Sequence, residues 1–288
     1  MAQPQVDFVV AERFAVGESP VWDADNGQLL WCDIPEGAIH TLHVASGRRS
    51  HWKLREPVGS FGLAQGGRLV VALRDEVVLF DRDSGDRELV ARVRHAKPGM
   101  RLNDGKVGPD GAFWAGSMDA SGDGAPAGVL YRFAPDGDVR VIREGVAISN
   151  GLAWNAEGTR LYHSDSRGDY WLDTWDFDPS SGDATNPRRL SEHDDSYGRF
   201  DGGACDMAGN YWSAGPSAGQ VNRFSTDGKW LDAVKVPLAH PTMPCFGGPD
   251  LQTVFVTSLD SGTAGPGRDG IVSFRAEVPG VPVAKFAR

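Results

Sequence analysis

Hydrophobic and polar positions alternate along this chain in short runs, and the runs come in pairs. The first member of each pair opens on a turn and continues into an apolar or aromatic run: NGQLLW, GGRLVV, DGAFWAG, EGTRLYHSD, GNYWSA and PDLQTVFVTS. The second alternates and ends at an acidic or glycine-containing turn: AIHTLHVASG, EVVLFDRDSG, GVLYRFAPDG, WDFDPSSG, QVNRFSTDG and GIVSFRAEVPG. Period-two alternation, as in Val129-Leu130-Tyr131-Arg132-Phe133, predicts strands, and the flanking turn residues bound them. No segment carries the period of a three-turn amphipathic helix. The first member returns roughly every 40 to 50 residues, which with about four strands per unit is the pattern of a β-propeller. Six pairs predict six blades, an all-β fold over residues 1–288 as one domain. A β-sandwich would not require such regular self-similarity. Residues 6–14 precede the first full repeat and are predicted to pair with the last blade, closing the ring without an open sheet edge.

A second regularity is chemical. Asn103 lies eight residues before Gly111, Asn150 eight before Gly158, Asp201 eight before Gly209, and Glu18 nine before Gly27. Each glycine is followed three or four residues later by an aromatic: Trp31, Trp114, Tyr162 or Trp212. Round the ring the slot reads Glu18, Gly59, Asn103, Asn150, Asp201 and about Met243. In a propeller this slot begins the innermost strand, so its side chains converge on the central channel. Two anions brought together resist desolvation and repel, and a bound cation relieves both penalties. Carboxylate and carboxamide oxygens suit a hard divalent ion. Glu18, Asn103, Asn150 and Asp201 are therefore the candidate ligands of one metal ion, Ca2+ first, with Mg2+, Mn2+, Zn2+ or Fe2+ as alternatives. Any one of them alone would read as a capping residue in a bend; four in one register do not.

Composition narrows the setting. A net charge of −10 excludes a nucleic-acid surface, which needs clustered Lys and Arg. The three cysteines, Cys32, Cys205 and Cys245, are odd in number and lack CxxC spacing, so they read as buried free thiols of a reducing compartment. The N-terminus lacks the basic and apolar regions of a signal peptide, and no apolar run approaches the roughly 18 residues of a membrane span. The expectation is a cytoplasmic monomer or weak oligomer with no membrane partner. There is no GxSxG elbow, HExxH, Walker loop or GxGxxG after a strand. Trp22, Trp31, Trp114, Trp154 and Trp212 recur near matching repeat positions and read as blade core. Residues 121–128 and 192–200 are irregular and polar, and are predicted to be loops over one face.

GESPVW, RLNDGK, SNGLAW, FDGGACD and PCFGGPD, taken in order, resemble the motifs of the senescence-marker-protein/gluconolactonase/luciferin-regenerating-enzyme family. The likeness runs from about Val6 to the end of the chain. It implies a six-bladed propeller with one divalent metal in the channel and hydrolysis of sugar lactones. Carried over position by position, Glu18, Asn150 and Asp201 match direct metal ligands. Asn103 matches a residue that binds substrate and meets the metal directly or through water, and Arg101 matches the substrate-binding arginine. Regucalcin-like members carry a glutamate three residues after the methionine matching Met118; here Ser121 stands there, with Asp119 nearby. Arg101, Asn103, Asp119 and Ser121 are thus the candidate substrate-binding residues.

The residue types also suggest roles. Opening a lactone needs a polarised carbonyl and an activated water, and Asp201 is the candidate general base. Arg101 offers a planar donor fork for ring oxygens and hydroxyls, while Lys106 and Asp104 read as structural. The leading expectation is a metal-dependent hydrolase acting on a small sugar lactone. A calcium-dependent aryl-ester or organophosphate hydrolase and a non-catalytic metal- or sugar-binding propeller stand as alternatives.

Overall fold

A computed structural model describes residues 3–121, 125–168, 170–192, 194, 196–262 and 267–288. Its architecture is an all-β six-bladed propeller, each blade an antiparallel sheet of four strands. The innermost strands are Gly17–Asp23, Ser60–Leu63, Met100–Val107, Ser149–Trp154, Gly203–Cys205 and Pro241–Gly247. They neighbour one another in a ring, the last against the first, and enclose the channel. The turn-glycine runs of the sequence form the second strands, such as Gln28–Asp33 and Phe113–Asp119, and the alternating runs form the third, such as Ala38–His43 and Gly128–Phe133.

The sixth blade is completed by the N-terminus. Asp7–Val10 pairs antiparallel with Ile271–Arg275, so chain ends far apart in sequence lie in one sheet. The strand is shorter than residues 6–14. Beyond it Phe14 is buried edge-on against Trp31, with ring centroids 5.6 Å apart.

The fourth strands are those the hydrophobic pattern under-reads. Arg48–Lys53 is exposed at almost every position, and Asp183–Ser191 carries Pro187. As outer edges they pack against little, and an edge tolerates proline because its unpaired side needs no donor.

Apolar side chains of neighbouring blades face each other in six clusters, one per blade interface. Trp22, Trp31, Trp114, Trp154 and Trp212 are all in this core. Trp114 and Trp154, from adjacent blades, meet edge to face at 5.7 Å, a geometry aromatic pairs favour. The three cysteines are free and buried. No helix among the described residues is long and apolar enough to cross a membrane.

Candidate functional site

The pairing of the innermost strands breaks where the polar slot lies. The register shifts between Glu18 and Val21, between Leu102 and Gly105, and between Asn150 and Ala153. A β-bulge inserts unpaired residues, bends the strand and re-aims side chains. Here the bulges carry Glu18, Asn103 and Asn150 at the channel, and Asp201 reaches it from just before Gly203–Cys205. Two of the residues that follow a slot adopt left-handed backbone, Ser19 at φ 49° and Gly151 at φ 71°. At Gly151 an added Cβ would lie 2.4 Å from Ser164 Oγ and 2.5 Å from Tyr211 Oη. Gly151→Ala is therefore expected to cost roughly 1–3 kcal/mol. A denaturant midpoint equal to wild type would contradict that assignment of strain.

Glu18, Arg101, Asn103, Asn150 and Asp201 line one cavity of about 130 Å3, together with Asp104, Ser166, Arg199 and Thr242. The four slot residues are each 5–7% exposed, so the cavity is a narrow end of the channel. Asp119 and Ser121 are not in the lining. Asp119 is tied to Lys97 Nζ at 2.7 Å, and Ser121 donates to Asp119 Oδ1 at 2.6 Å. Of the two segments read as loops, residues 122–124, 193 and 195 lie outside the described residues.

Hydrogen bonds orient the amides. Asn150 Nδ2 donates to Ser166 Oγ at 2.6 Å, and Ser166 Oγ donates to Phe200 O at 2.5 Å. Asn103 Nδ2 donates to Ser149 O at 3.0 Å and reaches Asn150 Oδ1 at 3.4 Å. Arg101 Nη1 donates to Asn103 Oδ1 at 2.7 Å and to Leu102 O at 2.9 Å. Asn103 therefore presents an oxygen that already accepts one hydrogen bond and keeps one lone pair.

The carboxylates are under electrostatic load. Burial, and then the charges of Asp201 and Asp104, hold the Glu18 carboxyl well above the usual range. Burial pushes Asp201 up to about 7; Arg199 draws it down and Asp104 adds to the rise. Each carboxyl is also drawn down by a neighbouring backbone N–H, Glu18 Oε2 accepting Ser19 N–H at 2.7 Å and Asp201 being lowered by Gly202 N–H. Burial brings Arg101 down to about 10.

Asp104 is the residue that sequence reasoning undervalued. It lines the cavity, its Oδ2 accepts Leu152 N–H at 3.2 Å, and its Oδ1 is buried without a partner. Burial raises it, and Lys106 opposes that rise. Lys106 is half-buried, its Nζ donating to Gly203 O at 2.6 Å. The other end of the same strands holds a larger cavity of about 340 Å3, walled by Val21, Val107, Ala153, Cys245 and the C-terminal Val281. It is lined by no carboxylate, whereas Glu18, Asp104 and Asp201 all line the smaller one.

Among the described residues no three Asp, Glu, His or Cys side chains gather as a metal-binding group. The slot donors are instead two carboxylates and two carboxamides. They fit a hard divalent ion on chemical grounds: all donors are oxygens, and two buried carboxyls destabilise one another's ionised form. Glu18, Asn150 and Asp201 would hold the ion, with Asn103 beside them. The expected effect of Glu18→Gln or Asn150→Ala is a loss of Ca2+ and Mn2+ affinity in calorimetric titration of metal-free protein. Unchanged affinity in both variants would remove the ion from this site.

Fold and channel together define a six-bladed propeller with an oxygen-lined polar site on its axis. The chain belongs to the SMP-30/Gluconolactonase/LRE-like family, whose model matches residues 16–260. A 6-deoxy-6-sulfogluconolactonase of Pseudomonas putida is 35% identical over 285 residues, covering 97% of each chain. Regucalcin of Xenopus laevis is 34% identical over 269 residues, 91% of this chain and 89% of that one. A solved structure of regucalcin from Agrobacterium tumefaciens, described as a calcium-binding protein, superposes with a TM-score of 0.91. It is 26% identical and the alignment covers 99% of this chain and 98% of that one.

Proposed function

We propose that this protein hydrolyses sugar lactones, with one divalent ion held in the channel by Glu18, Asn150 and Asp201. The observation that carries this reading is the gathering of three buried carboxyls, two oriented carboxamides and Arg101 around one cavity. Relatives named as a 6-deoxy-6-sulfogluconolactonase and as regucalcin, one of them described as calcium-binding, support it. Ca2+ is the first candidate ion.

In the reaction water adds to the ring carbonyl carbon and the ring C–O ester bond breaks. The ring oxygen leaves as a hydroxyl, and the new carboxylic acid ionises, releasing one proton. The bound ion supplies Lewis-acid polarisation of the carbonyl. Asp201 takes the proton of the attacking water. Arg101 places its remaining donors on the sugar while Asn103 and Leu102 O fix the guanidinium. Asn103 would bind the substrate and help hold the ion through its Oδ1. Asp119, buried at the end of Phe113–Asp119, and Ser121, two residues on, are assigned to the distal part of the sugar, beyond the cavity lining.

Proton release from D-glucono-, D-xylono-, L-arabinono- and 6-deoxy-6-sulfogluconolactone, with spontaneous hydrolysis subtracted, tests the reading. At least one lactone should open at a rate that EDTA abolishes. Turnover of phenyl acetate or paraoxon with no lactone opened would replace the substrate class. No turnover of either would leave a binding propeller.

Arg101→Lys is expected to fold normally and lose roughly tenfold or more in kcat/KM, because a point charge cannot reproduce a two-pronged donor. Metal affinity should be largely kept. Wild-type kinetics on every lactone would return Arg101 to a structural role.

A further inference from the structure

Arg199 stands in the wall of the same cavity, two residues before Asp201, and the chemistry above makes no use of it. Its position in the chain is fixed. The Arg199 N–H donates to Ser217 Oγ at 3.0 Å, the next residue, Phe200, is buried, and Gly198 before it adopts a left-handed φ of 72°. Its guanidinium makes no hydrogen bond and no ion pair among the described residues, and Nε is buried without an acceptor. A donor buried on a cation without an acceptor is unfavourable, so a site built this way awaits an anion.

The other basic groups nearby each spend a donor within the protein. Arg101 Nη1 is bound to Asn103 Oδ1 and Leu102 O, Lys106 Nζ to Gly203 O, and Lys97 to Asp119. Arg199 is thus the cation of the cavity that spends none of its side-chain donors among the described residues, whereas Arg101 spends Nη1. Arg199 and Asp201 line the same cavity, so an anion held by Arg199 lies about one sugar length from Asp201. A guanidinium fork matches a carboxylate, sulfonate or phosphate far better than a neutral hydroxyl.

We infer that Arg199 selects lactones bearing an anionic group at the end of the sugar remote from the lactone carbonyl. The inference rests on the lactone reading of the cavity and narrows its substrate class. An arginine acting only as a through-space counter-charge to Asp201 would make a different prediction, since it would alter neutral and anionic lactones by the same factor.

The test uses glucono-lactones of one ring size that differ only at C6: hydroxyl, carboxylate, sulfonate or phosphate. For wild-type protein loaded with Ca2+, kcat/KM should be roughly ten- to a hundredfold higher for at least one anionic member than for the hydroxyl member. Which anion leads identifies the natural substituent. Arg199→Gln should bring the ratio to near one, mainly through KM, whereas Arg199→Lys should retain part of the preference. No preference in the wild type, or an unchanged ratio in Arg199→Gln, would overturn the inference. Calorimetric binding of 6-phosphogluconate, glucarate and gluconate to the same proteins separates it from the lactonase reading. If no lactone is opened but the anionic acids bind tighter in an Arg199-dependent way, the lactonase reading fails and Arg199 keeps its assignment. Binding of gluconate, uncharged at C6, as tight as that of the C6-charged acids would overturn it, whatever the turnover. Thermal melts of each variant confirm that the comparison is between folded proteins.

Discussion

Asp201→Asn is expected to retain the divalent ion when it is supplied in excess, yet to lose on the order of 10²–10⁴-fold in kcat. The substitution keeps an oxygen for the ion and removes the proton acceptor. Asp201 is suited to both duties because its carboxyl is buried and faces the cavity. Asp201→Ala should lose ion and rate together. The measurement is kcat against pH for wild type and Asp201→Asn, each saturated with Ca2+ and then Mn2+. An account in which no protein group accepts the proton predicts near-normal kcat for the saturated Asn variant, and that outcome would end the general-base assignment.

Stripped of divalent metal, the protein is expected to lose stability as pH rises from about 4 to about 7. In the unfolded chain Asp201 titrates near its ordinary value of 3.8, whereas in the folded chain it titrates at about 7. Between those values the folded protein holds a proton that the unfolded chain has released, so raising the pH favours unfolding. Glu18 and Asp104 are shifted in the same direction, each chiefly by burial. The combined loss is on the order of several kcal/mol. The surface carboxylates run the other way. Asp176 and Asp250, each brought down to about 2, chiefly by hydrogen bonds from Arg188 and Arg275 respectively, lose their contribution only as pH falls below about 4. Ca2+ added at pH 7 to 8 should restore the lost stability and raise Tm with concentration, because it binds only the folded chain. Melting curves across pH, with and without Ca2+, check this. A flat metal-free profile with no response to any divalent ion would contradict it.

The strands and the site were legible in the sequence to different depths. Second and third strands of every blade announced themselves, because each has neighbours on both sides and so an alternating or apolar run between turns. The fourth strands did not, since an outer edge such as Arg48–Lys53 buries almost nothing. The slot at Glu18, Asn103, Asn150 and Asp201 was visible as a fixed offset from turn glycines, and these residues do line one cavity. The bulges that carry three of them there were not visible, because a bulge is a property of pairing and leaves little mark on one strand read alone. Asp104 looked structural beside Gly105, and only the fold shows its Oδ1 buried without a partner. Arg199 lay in an irregular polar stretch with no period to single it out. Ser121 stands where regucalcin-like members carry a glutamate, with Asp119 nearby, and the two side chains are bonded to each other outside the cavity lining.

The most direct test of the account is to strip the protein of divalent metal and restore it stepwise while following lactone opening. The substrate is whichever lactone the panel above identifies, and the readout is proton release with spontaneous hydrolysis subtracted. The account predicts no enzymic rate in the stripped protein and a return of activity that saturates at one ion per chain. It also predicts that Glu18→Gln needs a markedly higher Ca2+ concentration to reach its own plateau. Full activity in the stripped wild type, or a Glu18→Gln titration that overlays the wild-type curve, would contradict it.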